Sequence, residues 1–183
     1  IAGHSRGYSP GHSRSTMPTK AIIPGDPDTA GLPLSPCVRF GSTLYLSGMV
    51  GINHRTSEVG DDAAEQTRFC LERIKHVLQQ AGASMDDVLS AACFLADPRD
   101  YLAFNQVYRE YFPKDFPARL TVITRLMRED LVVEIMVTAG IPDANHKKEI
   151  IAAGNPSSTA PLSPAVRFGN TIYLSGMVGT NPD

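Results

Sequence analysis

The chain has 183 residues, 42% apolar and 20% charged, with a formal net charge of -2, the composition of an ordinary globular domain rather than of a disordered, fibrous or nucleic-acid-binding chain. No apolar run reaches the roughly 20 residues of a bilayer-spanning helix, and the N-terminus lacks the apolar core of a secretory signal, so a cytoplasmic location is expected. Cys37, Cys70 and Cys93 are odd in number and widely spaced, which argues against a disulfide or zinc framework and for reduced, buried thiols.

Residues 1–20 carry Gly-His-Ser-Arg twice, at Gly3–Arg6 and Gly11–Arg14, in a stretch with almost no apolar side chains. It reads as a disordered leader, either added ahead of a native start at Met17 or a flexible arm, with an Arg/Ser-rich organelle presequence as a third alternative. A domain is expected over 21–142. Its first strands, Val38–Phe40 and Thr43–Val50, flank Gly41-Ser42, a two-residue hairpin signal. From Asp61 to Ala81, Ala64, Phe69, Cys70, Leu71, Ile74, Val77, Leu78 and Ala81 recur at three- and four-residue steps, and Gly82 follows, which predicts an amphipathic helix. Val88–Leu95, broken only by Ser90, reads as a strand covered on both faces. A second helix is predicted from an Asp97-Pro98 start to Phe112, with Tyr101, Phe104, Val107, Tyr108 and Tyr111 on one stripe. Strands at Leu120–Thr124 and Leu131–Ala139 complete a β-β-α-β-α-β-β order, an α+β fold with two helices on one face of a mixed sheet.

On the last strand Leu131, Val133, Ile135 and Val137 should meet the helices, while Val132, Glu134, Met136 and Thr138 point the other way. A free face of that kind should be buried by association, so a closed homo-oligomer is expected.

Pro33–Gly51 returns as Pro161–Gly179, with only three of 19 positions different. The spacing, 33 to 161, is that of a whole domain rather than of a solenoid repeat. The expectation is a polar linker at 143–149 and then, over 150–183, the opening strands of a second copy from a longer tandem protein. Alone these strands cannot bury an apolar face, so they should pair with a complete domain or stay mobile. Ser175 and Gly176 are given no catalytic role.

Tyr45-Leu-Ser-Gly48, Phe116-Pro-Ala-Arg119 and Val133-Glu-Ile135, in this order of elements, resemble the RidA/YjgF family of reactive intermediate deaminases, also labelled endoribonuclease L-PSP. The resemblance implies a chorismate-mutase-like homotrimer, its sheets forming a central barrel with clefts between subunits. It also implies hydrolysis of reactive 2-imino and 2-enamino acids to 2-oxo acids and ammonia, with no metal and no cofactor. Arg119 matches the family's carboxylate-binding position, and a guanidinium fork is well shaped to hold a carboxylate; the bland alternative is a surface arginine after a turn. Gly48 matches a glycine that lets backbone approach the substrate, with Ser47 before it, and Asn105 matches a cleft-wall asparagine. Strand-end packing for Ser47 and a helix-face polar role for Asn105 remain alternatives.

Three positions depart from the family pattern. Cys37 stands for an aromatic tyrosine and is read as packing. Thr121 stands for a cysteine. Met136 stands for the glutamate that positions the attacking water, which a thioether cannot do well. Glu134, on the same strand face, could act in its place in a reshaped cleft; its other reading is structural. The expected substrate-binding set is therefore Ser47, Gly48, Asn105, Arg119 and Thr121, with Arg119 and Glu134 as catalytic candidates. The alternative function is a non-catalytic trimeric protein that binds small carboxylates. Ribonuclease activity is disfavoured by the acidic balance and the lack of a Lys/Arg stripe, and neither nucleic acid nor membrane is an expected partner.

Overall fold

The computed structural model describes residues 18–23, 33–151 and 160–179. Residues 1–17 of the expected disordered leader lie outside the described residues. Lys20 already opens a strand, β1 (Lys20–Ile23), which the sequence reading missed. It pairs antiparallel with β2 (Cys37–Phe40), and β2 with β3 (Thr43–Leu46). Gly41 turns the β2–β3 hairpin at φ 61°, a left-handed conformation that only glycine adopts without strain.

The strand expected to run on to Val50 is interrupted. It resumes as β4 (Met49–Val50), and both pieces pair with β7 (Val133–Gly140). Tyr45 registers with Thr138 and Met49 with Ile135, four steps along one strand against three along the other. The extra residue is taken up at Ser47–Gly48, which leave the ladder as in a β-bulge. Ser47 instead donates from its backbone N–H to the Pro36 carbonyl (3.0 Å) and from its hydroxyl to the Ser35 carbonyl (2.7 Å).

Helix α1 (Ala63–Gln80) starts where the Asp62 carboxylate accepts from the Glu65 backbone N–H at 2.8 Å and Glu65 reaches back to the Asp61 N–H. It buries Cys70, Leu71, Ile74, Val77 and Leu78 against the sheet and ends before Gly82, at φ 77°. Strand β5 (Val88–Leu95) follows. Ala91, Cys93 and Leu95 are buried in the main core, Leu89 is buried separately with Val166 and Phe168, and Ser90, Ala92 and Phe94 are partly exposed. The continuous apolar run reflects cover by the helices on one face and by Val166 and Phe168 over the Leu89 end of the other, where Ala92 and Phe94 stay partly exposed.

Asp97 caps a short 3-10 turn at Pro98–Asp100 that leads into α2 (Tyr101–Tyr111), and β6 (Ala118–Ile123) then runs parallel to β5. The sheet order is β1-β2-β3-β7-β5-β6, with β4 beside β7. Both helices lie on one side. Leu131, Val133, Ile135 and Val137 are buried beneath them, while Met136 on the opposite face is 44% exposed, as the alternation predicts. One buried polar side chain ties α1 to β7. Gln66 donates to the Gly60 and Asp130 carbonyls (3.0 and 2.8 Å) and accepts from the N–H groups of Val132 and Val133 (2.8 and 3.3 Å).

After a turn in which Asp143 accepts from the Ser42 hydroxyl and the N–H groups of Asn145 and His146, a second sheet begins at Lys148, inside the segment predicted as linker. It consists of β8 (Lys148–Ile151), β9 (Ala165–Phe168) and β10 (Thr171–Leu174) in the order β10-β9-β8. Its pairing repeats that of β1–β3 residue for residue: Ile22 faces Val38 as Ile150 faces Val166, and Val38 faces Tyr45 as Val166 faces Tyr173. Among the described residues no helix is long and apolar enough to cross a membrane.

Candidate functional site

Arg119 is the second residue of β6, and register places it beside Ala91, on the helix-covered face. The Phe116-Pro117 turn swings β6 under α2, so the side chain is only 2% exposed. Its guanidinium is held on two sides: Nη1 donates to Asn105 Oδ1 at 2.8 Å and Nη2 to the Tyr101 hydroxyl at 3.2 Å. The guanidinium carbon lies 5.0 Å from the Tyr108 ring centroid, 5.4 Å from Phe104 and 5.8 Å from Tyr101, within cation–π range of all three. These contacts fix the fork without neutralising it, because none of the partners is a carboxylate.

Among the described residues, the Arg119 Nε–H and the Thr121 hydroxyl have no hydrogen-bond partner, though both are buried. Leaving such groups unmet costs about 1–3 kcal/mol each. They share one face of β6, two residues apart, and both residues line a cleft of about 430 Å³ with Pro98, Tyr101, Gly176 and Met177. The cleft is otherwise mostly apolar. An anion entering it would meet a desolvated cation with donor capacity left, the condition under which charge-assisted hydrogen bonds are strong.

Ser47, Gly48 and Glu134 line a second, larger cavity of about 790 Å³ with Pro36, Arg73 and Leu131. Glu134 crowds the Gly48 backbone so closely that a Cβ at position 48 would sit 1.9 Å from its Oε1. A larger residue at position 48 would therefore have to turn the Glu134 side chain away. Half-burial pushes the Glu134 carboxyl up from its ordinary value. A raised carboxyl pKa means that the folded state holds its proton more tightly than the unfolded chain, so stability falls as pH rises through the window between the two values. Glu134→Gln is accordingly expected to be more stable than the parent at pH 8 and no more stable at pH 4, read from urea midpoints.

Within one chain, the structure places Arg119 and Thr121 in one cleft, with Asn105 bonded to the Arg119 fork, and Ser47, Gly48 and Glu134 in another. It does not unite the two sets within one chain. The reason is strand parity and order: Arg119 shares its face with Ala91, Glu134 registers with Phe94 on the opposite face, and β5 lies between their strands. Met136 lines neither cavity. Tyr101 belongs to the site although its sequence signal, a place on the apolar stripe of the second helix, does not assign it there. Among the described residues no cluster of three or more His, Cys, Asp or Glu could hold a metal ion.

Fold and site together define an α+β domain with a buried, aromatic-backed arginine at the edge of its sheet. The chain belongs to the endoribonuclease L-PSP family, also known as RidA/YjgF, whose family model matches residues 26–141. It is 41% identical to the 3-aminoacrylate deaminase RutC of Acinetobacter baylyi over 127 residues, 68% of this chain and all of the relative. The YjgF gene product of E. coli superposes with a TM-score of 0.62 at 28% identity, over 66% of this chain and 98% of that one. E. coli TdcF, solved with bound serine, superposes with a TM-score of 0.57 at 29% identity, over 59% of this chain and 87% of that one.

Proposed function

We propose that the domain hydrolyses reactive 2-imino and 2-enamino acids, or a related small substrate such as 3-aminoacrylate, to the oxo acid and ammonia. The observation that carries this reading is the buried Arg119 fork bordering an apolar cleft, with an unpaired Nε–H on the same strand face as the unpaired Thr121 hydroxyl. Arg119 binds the substrate carboxylate, Asn105 and Tyr101 hold the fork in plane, and Thr121 supplies a further donor. An enamine first takes a proton at carbon to become the imine. Water then adds to the imine carbon, the nitrogen gains protons, and the carbon–nitrogen bond of the carbinolamine breaks to release ammonia. The 41% identity to a 3-aminoacrylate deaminase supports the reaction class. The serine bound in TdcF supports a carboxylate of amino-acid size.

The open sheet face, with Met136, Leu120 and Val122 exposed on it, is read as the surface on which like domains associate, three around a common barrel as the family resemblance implies. Residues 148–179, whose strands repeat the pairing of β1–β3, are read as the opening of a second such domain.

A binding protein without turnover is the second reading. It is favoured by Met136, which the family resemblance sets where a water-positioning glutamate is expected, and by the separation of Glu134 from Arg119. The deciding assay is ammonia release from 2-iminobutanoate and 2-iminopropanoate, generated in situ by an amino-acid oxidase, and from 3-aminoacrylate. The parent chain is expected to release ammonia, and Met136→Glu to do so at least about tenfold faster, a general base contributing roughly 10²–10⁴ where well placed. Silence from the parent with activity in Met136→Glu would hand the site to the binding reading, to be measured by calorimetry with 2-oxobutanoate.

A further inference from the structure

The hairpin of β9 and β10 has the same sequence pattern, register and turn as that of β2 and β3, down to Gly169 at φ 57° and a Ser175 hydroxyl donating to the Ser163 carbonyl as Ser47 does to Ser35. What the two hairpins touch is different. Val166 and Phe168 are buried with Leu89 and Ala118, and the Phe168 ring lies on Gly140, where a Cβ would come within 2.5 Å of it. Phe40, the counterpart of Phe168, is 49% exposed, while Phe168 is 4% exposed. One copy of the same face is docked and the other is bare.

The docked copy continues along the free edge of β6. The Ser163 N–H donates to the Pro117 carbonyl (3.2 Å), the Arg119 N–H to the Ser175 hydroxyl (2.8 Å) and the Gly176 N–H to the Arg119 carbonyl (3.0 Å). The segment that completes this edge, Ser175-Gly-Met-Val178, is also the sequence of Ser47-Gly-Met-Val50. Ser47 and Gly48 themselves lie in the cavity with Glu134, away from Arg119.

We propose that residues 161–178 occupy in cis the place at Arg119 that the matching 33–50 segment of a second copy fits, and that they supply Gly176 and Met177 as a wall of the Arg119 cleft. The docking socket consists of Leu89, Ala118, Gly140 and the β6 edge; its occupant is a Ser-Gly-Met-Val strand end behind a Val-x-Phe hairpin. Lys148, whose ammonium donates to the Asp86 and Asp115 carbonyls (3.0 and 2.9 Å), pins β8 to the domain. The segment is thus delivered from its own chain, at an effective concentration of order millimolar that a free second copy at micromolar concentration cannot match. Ser175 spends its hydroxyl on the dock itself. Gly176 and Met177 face the cleft, a placement the sequence reading did not anticipate.

The docking can be tested without any turnover. A Cβ at Gly176 would stand 3.8 Å from the Leu120 Cβ, the separation of a relaxed disulfide. The full chain carrying Leu120→Cys and Gly176→Cys is expected, on oxidation, to form a link within one chain at every protein concentration, identified by peptide mapping. Adding Val166→Asp and Phe168→Asp is expected to reduce that link more than tenfold. Links between chains that grow with concentration, or two free thiols, would overturn the cis arrangement. The wall role rests on the deaminase reading and has its own readout: Met177→Asp is expected to raise KM about tenfold or more with kcat little changed, and an unchanged KM would remove it. Failure of the link leaves the deaminase reading standing, and absence of turnover leaves the link standing.

Discussion

Arg119→Ala is expected to lower kcat/KM for imine hydrolysis about 30- to 1,000-fold, the equivalent of roughly 2–4 kcal/mol for removing the desolvated partner of a substrate carboxylate. The effect is large because the fork borders a mostly apolar cleft that, among the described residues, no other cation lines, so no neighbour there takes over its charge. Arg119→Lys is expected to recover only a small part. A single ammonium cannot meet Asn105, Tyr101 and a carboxylate in one plane as the guanidinium does. Both variants also leave the Asn105 Oδ1 and the Tyr101 hydroxyl short of a partner, so circular dichroism must accompany the assay to keep lost rate apart from lost fold. Ammonia release from Arg119→Ala at the parental rate would end the proposed role.

Gln66→Ala is expected to be the most destabilising of these changes, about 3 kcal/mol, lowering the Tm by roughly 6–12 °C for a chain of this size. The side-chain amide satisfies two carbonyls and two backbone N–H groups at the junction of α1 and β7. Gly51 and Gly60 close over it so tightly that a Cβ on either would clash with Gln66 atoms, at 2.4 and 2.8 Å. Gln66→Met separates the two contributions: it keeps most of the volume and loses the hydrogen bonds. Calorimetry should place it near Gln66→Ala. A Met variant as stable as the parent would mean that filling the space, and not bonding across it, holds the junction.

The parts of this fold that could be read from sequence are those whose own periodicity specifies them. The spacing of Cys70, Leu71, Ile74, Val77 and Leu78 fixes the buried stripe of α1, and the alternation from Leu131 to Thr138 fixes which face of β7 meets the helices. Strand β5 was legible only in part: its far face is covered at Leu89 by Val166 and Phe168, while Ala92 and Phe94 are apolar but partly exposed. Strand β1 was passed over because four residues beside a polar stretch carry too little pattern. Gln66 has no signal at all in one sequence, since a lone glutamine on a helix looks like any solvated one. At the site, the Phe-Pro-Ala-Arg turn pointed to Arg119, and the family pattern, which has a cysteine two residues on, pointed to Thr121. The distance between Arg119 and Ser47–Gly48 was not legible, because it follows from β7 inserting between β3 and β5, a matter of strand order that local sequence does not encode.

The three thiols lie on three different elements, Cys37 on β2, Cys70 on α1 and Cys93 on β5, and all are buried and free. Burial pushes Cys37 up to about 11 and Cys93 to about 12, and Cys70 well above its usual value, so none offers a thiolate while its element stays closed. Each is a built-in clock. Alkylation under native conditions can proceed only as fast as the strand or helix carrying it opens, so the three rates, resolved by mass, would time the opening of hairpin, helix and central strand separately in one unmodified chain.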